Sequence, residues 1–496
     1  MADKIPSVSV TLNQVTNTSN TVNIPFIATV ICKCPTGPIG ELTQVDTYSN
    51  CVKIFGQGTA ATPALYGVEQ YLKTYNYVNI IRVASNSAAK GTVSISSFDA
   101  NGDAVEGLEN IISGTTDYKT DLYNGDTINL VYNAARTKLY ITAELDGVTY
   151  TTPKSTIDLS TATADLVEPV INGLVNYWNA LSTGITLTNN FINKTATDVS
   201  IAPTYTSHGT VSTGDSGNDN TITDNDVIAL FDLIEEPTVR TQDVVTAPEF
   251  RGYNVVNAGT SLKNSYFYIV AAQGSGIDAK QTSIENYEPS DKGVLYIPDG
   301  CKMADQSITV PFEIAALYAW ATTYNTNRYY APAGVKRGVL SLVSSIVNNV
   351  SEDDAVEMYN AKIPANPVKY ITNYGYVLFG QKTMDAEQQF TNRINVANLV
   401  NYILITGKEL LQPYLFEYTP ISTFQKVYLD LDKLMSNLAT QEIVYDDYKI
   451  ICDTSNNTAE TLAKHELHAS IAVRPINVIE YIFLDLTVTD EIGEDE

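Results

Sequence analysis

The sequence has few of the side chains that metal and catalytic sites most often use. Its 496 residues include three histidines, five cysteines and two tryptophans. The odd number of cysteines and their spacing fit neither a zinc motif nor a disulfide framework. We interpret all five as free, mostly buried thiols, with the first two on opposite sides of a sheet. They are Cys32, Cys34, Cys51, Cys301 and Cys452.

Positive charge is also scarce, because 30 Lys and Arg face 56 Asp and Glu, and 30 − 56 gives −26. Such a balance argues against a nucleic-acid binder or a basic membrane-surface protein, since both need clustered cations. With 17% charged and 44% hydrophobic residues, the chain is not an acidic disordered protein. No apolar run approaches the roughly 20 residues of a membrane span. The Met1–Pro6 start has no apolar signal-peptide core. We therefore expect a protein made in the cytoplasm, without membrane insertion.

Three local patterns could suggest chemistry, and each is weak. His465 and His468 form an H-x-x-H without an evident third ligand. The stretch Gly214–Gly217 resembles the surroundings of a nucleophilic serine, but it lies in a turn-rich segment that predicts a flexible loop. The acidic residues there lack the EF-hand spacing; they are Asp215, Asp219, Asp224 and Asp226. We expect no catalytic residue, no metal and no cofactor.

Composition and periodicity predict a multidomain protein of mixed α/β and α+β class. The predicted parts are an extended arm (1–22), an α/β unit (23–85), a β-rich insertion (86–245), a second α/β unit (246–370), a C-terminal domain (371–480), and a strand with an acidic tail (481–496). In residues 86–245, Asn-Gly and Asp-Gly pairs predict hairpins. This third of the chain has 7 basic and 21 acidic residues, or −14, over half of the net charge.

Two apolar stripes predict long helices in the C-terminal domain, because their members recur every three or four residues. The first contains Phe390, Ile394, Ala397, Val400 and Leu404, and the second contains Phe424, Val427, Leu431, Leu434 and Leu438.

Two amphipathic strands lie near the ends of the sequence. In the first strand apolar residues alternate with Ser and Thr, and in the second they alternate with Phe483, Asp485 and Thr487, as in a strand with one buried face. The apolar members are Val8, Val10 and Leu12 in the first, and Ile482, Leu484, Leu486 and Val488 in the second. An unpaired strand of this kind is an aggregation hazard unless it finds a partner. We expect both strands to pair with neighbouring subunits, although pairing within their own subunit is the alternative.

The N-terminal α/β unit carries a resemblance to a known family. Ile24–Ala28, the turn-rich Cys34–Glu41, Phe55-Gly56 and Tyr77–Val83 resemble the opening of contractile tail sheath proteins. Further segments resemble the family in the same order, while residues 86–245 match nothing in it. One departure is Tyr330, where the family commonly has Lys. The further segments are Ala315–Trp320, Ala331–Gly334, Arg337–Val339, Tyr374–Met384, Leu415–Pro420, Cys452–Thr458 and Val473–Ile482.

The resemblance implies a structural subunit of a virion tail, assembled in the bacterial host cytoplasm. Sheath proteins form six-fold rings stacked into a helical sleeve around a tail tube, with baseplate and neck or terminator proteins at the ends. Contraction drives the tube through a cell envelope. Terminal arms of one subunit add strands to its neighbours, and the variable insertion faces outward. Two alternatives remain open: the sheath of a non-viral contractile injection system, or an acidic β-rich surface-binding protein.

Overall fold

The computed structural model describes residues 26–132, 137–157, 164–191, 206–219, 221–236, 238–385, 387, 391–418 and 420–480. Their strands are β1 Ala28–Cys32, β2 Leu42–Val45, β3 Val78–Arg82, β4 Lys90–Phe98, β5 Ile112–Lys119, β6 Thr127–Tyr132, β7 Lys138–Leu145, β8 Val148–Thr151, β9 Ser155–Thr156, β10 Ile185–Asn189, β11 Thr206–Thr210, β12 Gln242–Thr246, β13 Ser265–Ala271, β14 Gly293–Tyr296, β15 Gly300–Lys302, β16 Thr309–Pro311, β17 Ser345–Val347, β18 Ala365–Asn366, β19 Val368–Ile371, β20 Gly375–Leu378, β21 Lys449–Ile451 and β22 Ser470–Ala472.

The helices are α1 Tyr48–Phe55, α2 Pro63–Tyr71, α3 Ala164–Ala180, α4 Asp224–Ile228, α5 Phe231–Glu235, α6 Tyr253–Thr260, α7 Ile277–Ile284, α8 Phe312–Thr326, α9 Glu352–Tyr359, α10 Ile394–Leu411, α11 Ile421–Thr440 and α12 Ala459–Ala463. The chain divides into two compact units. Unit 1 is Met1–Asn327 with Ala331–Asn392, and unit 2 is Arg328–Tyr330 with Arg393–Glu496. The predicted mixed α/β class is confirmed.

Unit 1 is built on a seven-stranded sheet of order β18-β14-β13-β12-β1-β3-β2. All pairs are parallel except that of the edge strand β2 with β3. Helices cover both faces, so β1, β3, β12 and β14 are buried along their whole length. This is why their sequences read as continuous apolar runs instead of alternating ones.

Helix α8 packs deep in this unit, with twelve of its fifteen residues buried. Trp320 packs against Phe267 of β13 with ring centroids 5.0 Å apart, and its indole N–H donates to the Tyr296 hydroxyl at 2.9 Å. Pro311 is the N-cap residue of the helix. Near the other end of the sheet, Thr47 caps α1 by accepting from the Asn50 amide, and Gly56 ends that helix with φ +77°.

Between β3 and β12 the chain forms a separate eight-stranded sheet. The order is β10-β5-β4-β11-β6-β7-β8, with β9 also paired to β7, and its ladders are antiparallel. Strand β4 alternates exposed and buried residues along its length. The buried face packs on α3, where Trp178 is fully buried and donates to the Ile185 carbonyl at 3.0 Å. The hairpin at Asp146-Gly147 lies where the sequence predicts it.

Two boundaries differ from the predicted ones. The β-rich insertion was predicted to reach residue 245, but α4 and α5 pack on the seven-stranded sheet and β12 lies within it. These helices have five residues each, too few for a helical period to stand out in the sequence. The predicted boundary at 370/371 would divide the β19–β20 hairpin, all of which belongs to unit 1.

Unit 2 contains the pair α10 and α11 and a small sheet of β21 and β22. The predicted stripe on α11 is confirmed, because all five of its apolar members are buried. On α10, Ile394 and Ala397 of the stripe are buried and Leu404 is 62% exposed, while Leu399 and Ile403 are also buried. Phe390 lies outside the described residues.

Candidate assembly surface

Strands β21 and β22 form a two-stranded sheet in unit 2. Three residue pairs join its strands, and neither strand pairs with any other strand of the described residues. The ladder continues irregularly through a bridge between Val444 and Pro475, where the Tyr445 amide donates to the Arg474 carbonyl at 3.0 Å. A two-stranded sheet is only marginally stable alone. Its open edges present backbone groups to which further strands can pair.

Side chains fix this sheet in unit 2. Ile450 is buried in the cluster that includes Leu438 and Val444, so one face of the sheet packs on α11. On the exposed side the Arg474 guanidinium lies 3.9 Å from the Tyr445 ring centroid and donates to Asp447 at 2.7 Å. The edges are therefore held in place by a core below them.

The connection between β21 and β22 is held by amide side chains. Asn456 donates to the carbonyls of Ile451 and His468, and Asn457 also donates to the His468 carbonyl at 2.9 Å. These bonds tie the loop and α12 to both strands. Asn456 and Asn457 belong to Cys452–Thr458, a segment whose sequence resembles the family. This segment therefore connects the two strands of the small sheet through side-chain hydrogen bonds.

The described part of the chain ends close to the start of α10. Glu480, its last residue, accepts from the Arg393 Nε at 2.5 Å, and both side chains are less than one-third exposed. This ion pair fixes the point from which residues 481–496 continue. The predicted arm residues lie outside the described residues; they are Val8, Val10, Leu12, Ile482, Leu484, Leu486 and Val488.

An apolar tip joins α10 to α11 and was not predicted from the sequence. Leu415, Phe416, Tyr418 and Ile421 are 63%, 106%, 91% and 64% exposed. The tip has internal bonds, since the Thr423 hydroxyl donates to the Tyr418 carbonyl at 3.1 Å. Exposed large apolar side chains clustered in one loop are typical of a protein contact. The signal was present in the sequence as a run of large apolar residues between two helices.

The three weak chemical patterns form no reactive constellation. His468 lies 3.0 Å from Glu466, and both side chains are about half exposed. The acidic residues of the 214–226 segment bond to nearby backbone: Asp215 accepts from the Gly217 amide, and Asp226 forms a capping box with Thr223. Within the described ranges, no group of three or more His, Cys, Asp or Glu side chains could hold a metal.

Residues 214–219 were predicted as a flexible loop, but they are tied to the end of β3. Arg82 is fully buried and donates to the Ser216 carbonyl at 2.7 Å and to the Gly37 carbonyl at 2.7 Å. The Ser85 amide donates to the Gly217 carbonyl at 2.8 Å. The loop therefore closes the insertion onto the seven-stranded sheet.

The prediction that the cysteines are buried is correct, but the prediction that Cys32 and Cys34 face opposite sides of a sheet is wrong. All five cysteines are free and buried. The sulfurs of Cys32 and Cys34 are 3.8 Å apart, so they do not face opposite sides of a sheet. Residues i and i+2 of an extended chain point to the same face.

A buried ion-pair network at the carboxyl edge of the seven-stranded sheet was also missed. Arg251 donates from Nε and Nη2 to the two Glu313 carboxylate oxygens, each at 2.6 Å, and from Nη1 to Asp299. Glu313 is fully buried and also accepts from the Ala271 amide at 2.9 Å. Burial raises the pKa of the Glu313 carboxyl, and Arg251 opposes that shift. The network satisfies its own charges, as expected of a structural ion pair.

Comparison with known proteins gives relatives in sequence. No protein-family model matches the chain. The chain is 28% identical over 242 residues to the tail sheath protein of Vibrio phage KVP40 and 26% identical over 218 residues to that of Enterobacteria phage T4. These matches cover 47% and 44% of this chain, but 34% and 32% of the relatives. The chain thus spans about a third of the length of the curated relatives it matches.

Solved structures share the fold over nearly the whole chain. A sheath tail protein from Desulfitobacterium hafniense gives a TM-score of 0.57 at 10% identity, covering 91% of this chain and 93% of that one. The helical sheath of the anti-feeding prophage in its contracted state gives 0.54 at 14% identity, covering 98% and 99%. No helix in the described residues is long and apolar enough to cross a membrane. The resemblance found in the sequence is confirmed.

Proposed function

Because the chain is related to phage tail sheath proteins in sequence and shares the sheath fold, we propose that it is a structural subunit of a contractile tail sheath. In this proposal the subunits form six-fold rings stacked around a tail tube in the virion tail. Contraction, triggered from a baseplate, drives the tube through a cell envelope. Assembly takes place in the host cytoplasm, and the role needs no cofactor and no catalytic residue.

The open sheet of β21 and β22 is the observation that carries the assembly mechanism. We propose that arms of neighbouring subunits add strands to its two edges. Strand addition supplies backbone hydrogen bonds for affinity and alternating side chains for register. The proposed arm strands are Val8–Leu12 and Ile482–Val488, each of which has a row of apolar residues at every second position. The Arg393–Glu480 ion pair holds the point from which the second arm leaves unit 2.

The free energies of burial and ordering favour assembly through many weak strand pairings. Burying three apolar side chains contributes roughly 1.5–3 kcal/mol each. Ordering about six residues costs about 1–2 kcal/mol apiece. A single arm is therefore marginal, and several arms in a ring act through their high effective concentration. Such a polymer assembles from separate monomers and stays connected while its subunits move.

A deletion of residues 1–22 tests the arm. We expect the shortened protein to stay folded, by circular dichroism, and to form no sleeves in electron micrographs. A sharper pair of variants uses the two faces of the same strand. Aspartate at Val8, Val10 and Leu12 should prevent assembly, whereas aspartate at Ser7, Ser9 and Thr11 should permit it. Normal sleeves from the deletion or from the first triple variant would refute the arm proposal.

The apolar tip supports a second contact surface in the assembled sheath. Phe416 is wholly exposed and its neighbours Leu415 and Tyr418 nearly so, which is costly for a surface that stays in water. We expect Phe416→Ser to weaken assembly with the tube, baseplate or neck proteins while unit 2 remains folded. Co-sedimentation of the variant with purified tail tubes measures this effect. Unchanged co-sedimentation and unchanged sleeves would remove the tip from the assembly mechanism.

The acidic insertion is proposed to face outward from the sleeve. Residues 86–223, which leave out α4, α5 and β12, contain 6 basic and 15 acidic residues, so 6 − 15 gives −9 of the net charge of −26. Like charge on the outer surface of parallel sleeves limits their bundling, and salt screens this repulsion. Raising the ionic strength should therefore increase bundling in electron micrographs.

A non-viral contractile injection system is the alternative supported by a specific observation. The anti-feeding prophage sheath covers 98% of this chain at a TM-score of 0.54. Sleeves purified from the native source distinguish the two functions. Sleeves attached to DNA-filled capsids indicate a phage, and sleeves that never carry a capsid indicate an injection system.

A further inference from the structure

Two cysteine sulfurs meet where β1 ends and the following turn begins. Cys32 is the last residue of β1, and Cys34 precedes the turn that runs from Pro35 to Gly40. Both side chains are fully buried, and their sulfur atoms are 3.8 Å apart. A disulfide requires a separation of about 2.05 Å, so closing the pair needs only a small shift of the two side chains.

The residues around the two sulfurs are themselves held by hydrogen bonds. Arg82 is fully buried and donates to the carbonyls of Gly37 and Ser216, each at 2.7 Å. On the other side Glu249 accepts from the Lys33 amide at 2.8 Å. The hydrogen bond with Cys34, burial and the Glu249 charge all raise the pKa of the Cys32 thiol.

We propose that Cys32 and Cys34 form a redox-active dithiol that closes to a disulfide. The oxidant class is a peroxide. One of the two sulfurs, as its thiolate, attacks a peroxide oxygen, the O–O bond breaks, and a sulfenic acid and hydroxide form. The other sulfur then attacks the sulfenic sulfur, the S–O bond breaks, and water leaves. In total, two thiols and one hydrogen peroxide give one disulfide and two waters.

We expect a disulfide between Cys32 and Cys34 to affect mainly the turn that follows β1. Only Lys33 separates the two cysteines, so the disulfide removes little entropy from the unfolded chain. Instead it constrains the turn, which is already held by the Asn218 amide bonded to the Cys34 carbonyl at 3.0 Å and by the Thr120 hydroxyl bonded to the Pro35 carbonyl at 2.8 Å. The inference is independent of the sheath function, because it rests on these contacts alone.

The test uses the full-length folded protein, treated with hydrogen peroxide, then denatured and alkylated. We expect alkylation at Cys51, Cys301 and Cys452 only, and an intact mass lower by two hydrogens before alkylation. Trypsin cleaves after Lys33, between the two cysteines, so a disulfide is detected as two tryptic peptides held together until a reductant is added. Five alkylated cysteines, a disulfide between another pair, or sulfinic acid at Cys34 without a disulfide would overturn the proposal.

Single variants test the pairing. In Cys34→Ser and in Cys32→Ser no linked peptides should form, and dimedone should trap a sulfenic acid at the cysteine that remains. Cys301→Ser is the matched control, because Cys301 is equally buried, and its linked peptides should match those of the unaltered protein. If a serine variant does not fold, the measurement on the unaltered protein still decides the outcome. Linked peptides in either of the first two variants would contradict the pairing.

Discussion

The two large sheets of unit 1 handle burial and charge in different ways. In the seven-stranded parallel sheet both faces are covered, and charged groups buried there bind polar partners. Arg251 binds the Glu313 carboxylate, and Arg82 binds the Gly37 and Ser216 carbonyls. In the eight-stranded antiparallel sheet one face packs on α3 and the other remains accessible, so strands such as β4 alternate. A sheet with one solvent-exposed face can bear many acidic side chains with little loss of folding free energy, because their carboxylates stay solvated.

The largest expected effect comes from the buried ion pair. Arg251→Met leaves the Glu313 carboxylate in the core without its partner, and we expect a loss of about 3–5 kcal/mol in the free energy of unfolding. Lys369→Met is the control, since Lys369 and Glu352 pair at the surface, 2.6 Å apart, and this loss should stay below about 1 kcal/mol. Chemical denaturation followed by circular dichroism measures both. Equal losses would contradict the contrast between buried and solvated charge.

A second prediction tests whether the two sheets unfold independently. Trp178→Ala removes the largest buried side chain of the eight-stranded sheet and should cost about 3–5 kcal/mol. Trp320 then remains as the sole tryptophan and reports on the seven-stranded sheet through its fluorescence. We expect the Trp320 transition to keep its midpoint while the circular dichroism signal acquires an earlier transition.

The neighbouring Tyr177 gives the control for this variant. Tyr177 is 45% exposed on the same helix, so Tyr177→Ala should leave both transitions nearly unchanged. An early shift of the Trp320 transition in Trp178→Ala would mean that the two sheets unfold as one.

A third prediction concerns the change of unfolding free energy with pH. This change should have opposite signs for a carboxyl buried beside the seven-stranded sheet and for one at the end of the insertion. Burial raises the pKa of the Glu69 carboxyl to about 7, and its Oε1 accepts from the Gly58 amide at 2.6 Å. The folded state then binds more protons than the unfolded one between about pH 4.5 and 7. The contribution of Glu69 to stability therefore falls as pH rises through this window, by at most about 1.4 kcal/mol per pH unit.

The contrast comes from Asp219, at the end of the insertion. Hydrogen bonds from Thr221 lower its pKa to about 2, so its stabilisation is present above the unfolded value and disappears as pH falls through about 2. Burial also raises the pKa of Glu249 to about 7, so that residue contributes to the same slope. Unfolding free energies measured from pH 2 to 8 should therefore show a shallower neutral slope in Glu69→Gln, while Asp219→Asn should change only the acid limb. A neutral slope that is unchanged in Glu69→Gln would contradict this assignment.

The smallest expected effect is at the hairpin between β7 and β8. Gly147 has φ +75° in open space, so Gly147→Ala is strained by conformation alone and should cost about 1 kcal/mol. Gly173 lies on the exposed side of α3 with room for a methyl group, and Gly173→Ala should stabilise by about 0.5–1 kcal/mol. Thermal unfolding of the pair compares the two, and shifts of the same sign would contradict the conformational reason.

The sequence predicted features that depend on neighbours along the chain. Turn residues were enough for the β7–β8 hairpin, and local periodicity was enough for the stripe on α11. The order of short motifs was enough to indicate the sheath family. These signals are local because hairpin turns and helical faces each involve residues only a few positions apart.

Only the tertiary structure decided which distant groups meet. The network of Arg251, Asp299 and Glu313 joins residues 48 and 62 positions apart, and no local pattern indicates that pairing. The tertiary structure also brings the Cys32 and Cys34 sulfurs close together and makes β12 part of the seven-stranded sheet. In the described residues, β21 and β22 pair only with each other. The physical reason is that local propensities determine elements, whereas burial and charge pairing act between elements brought together by the fold.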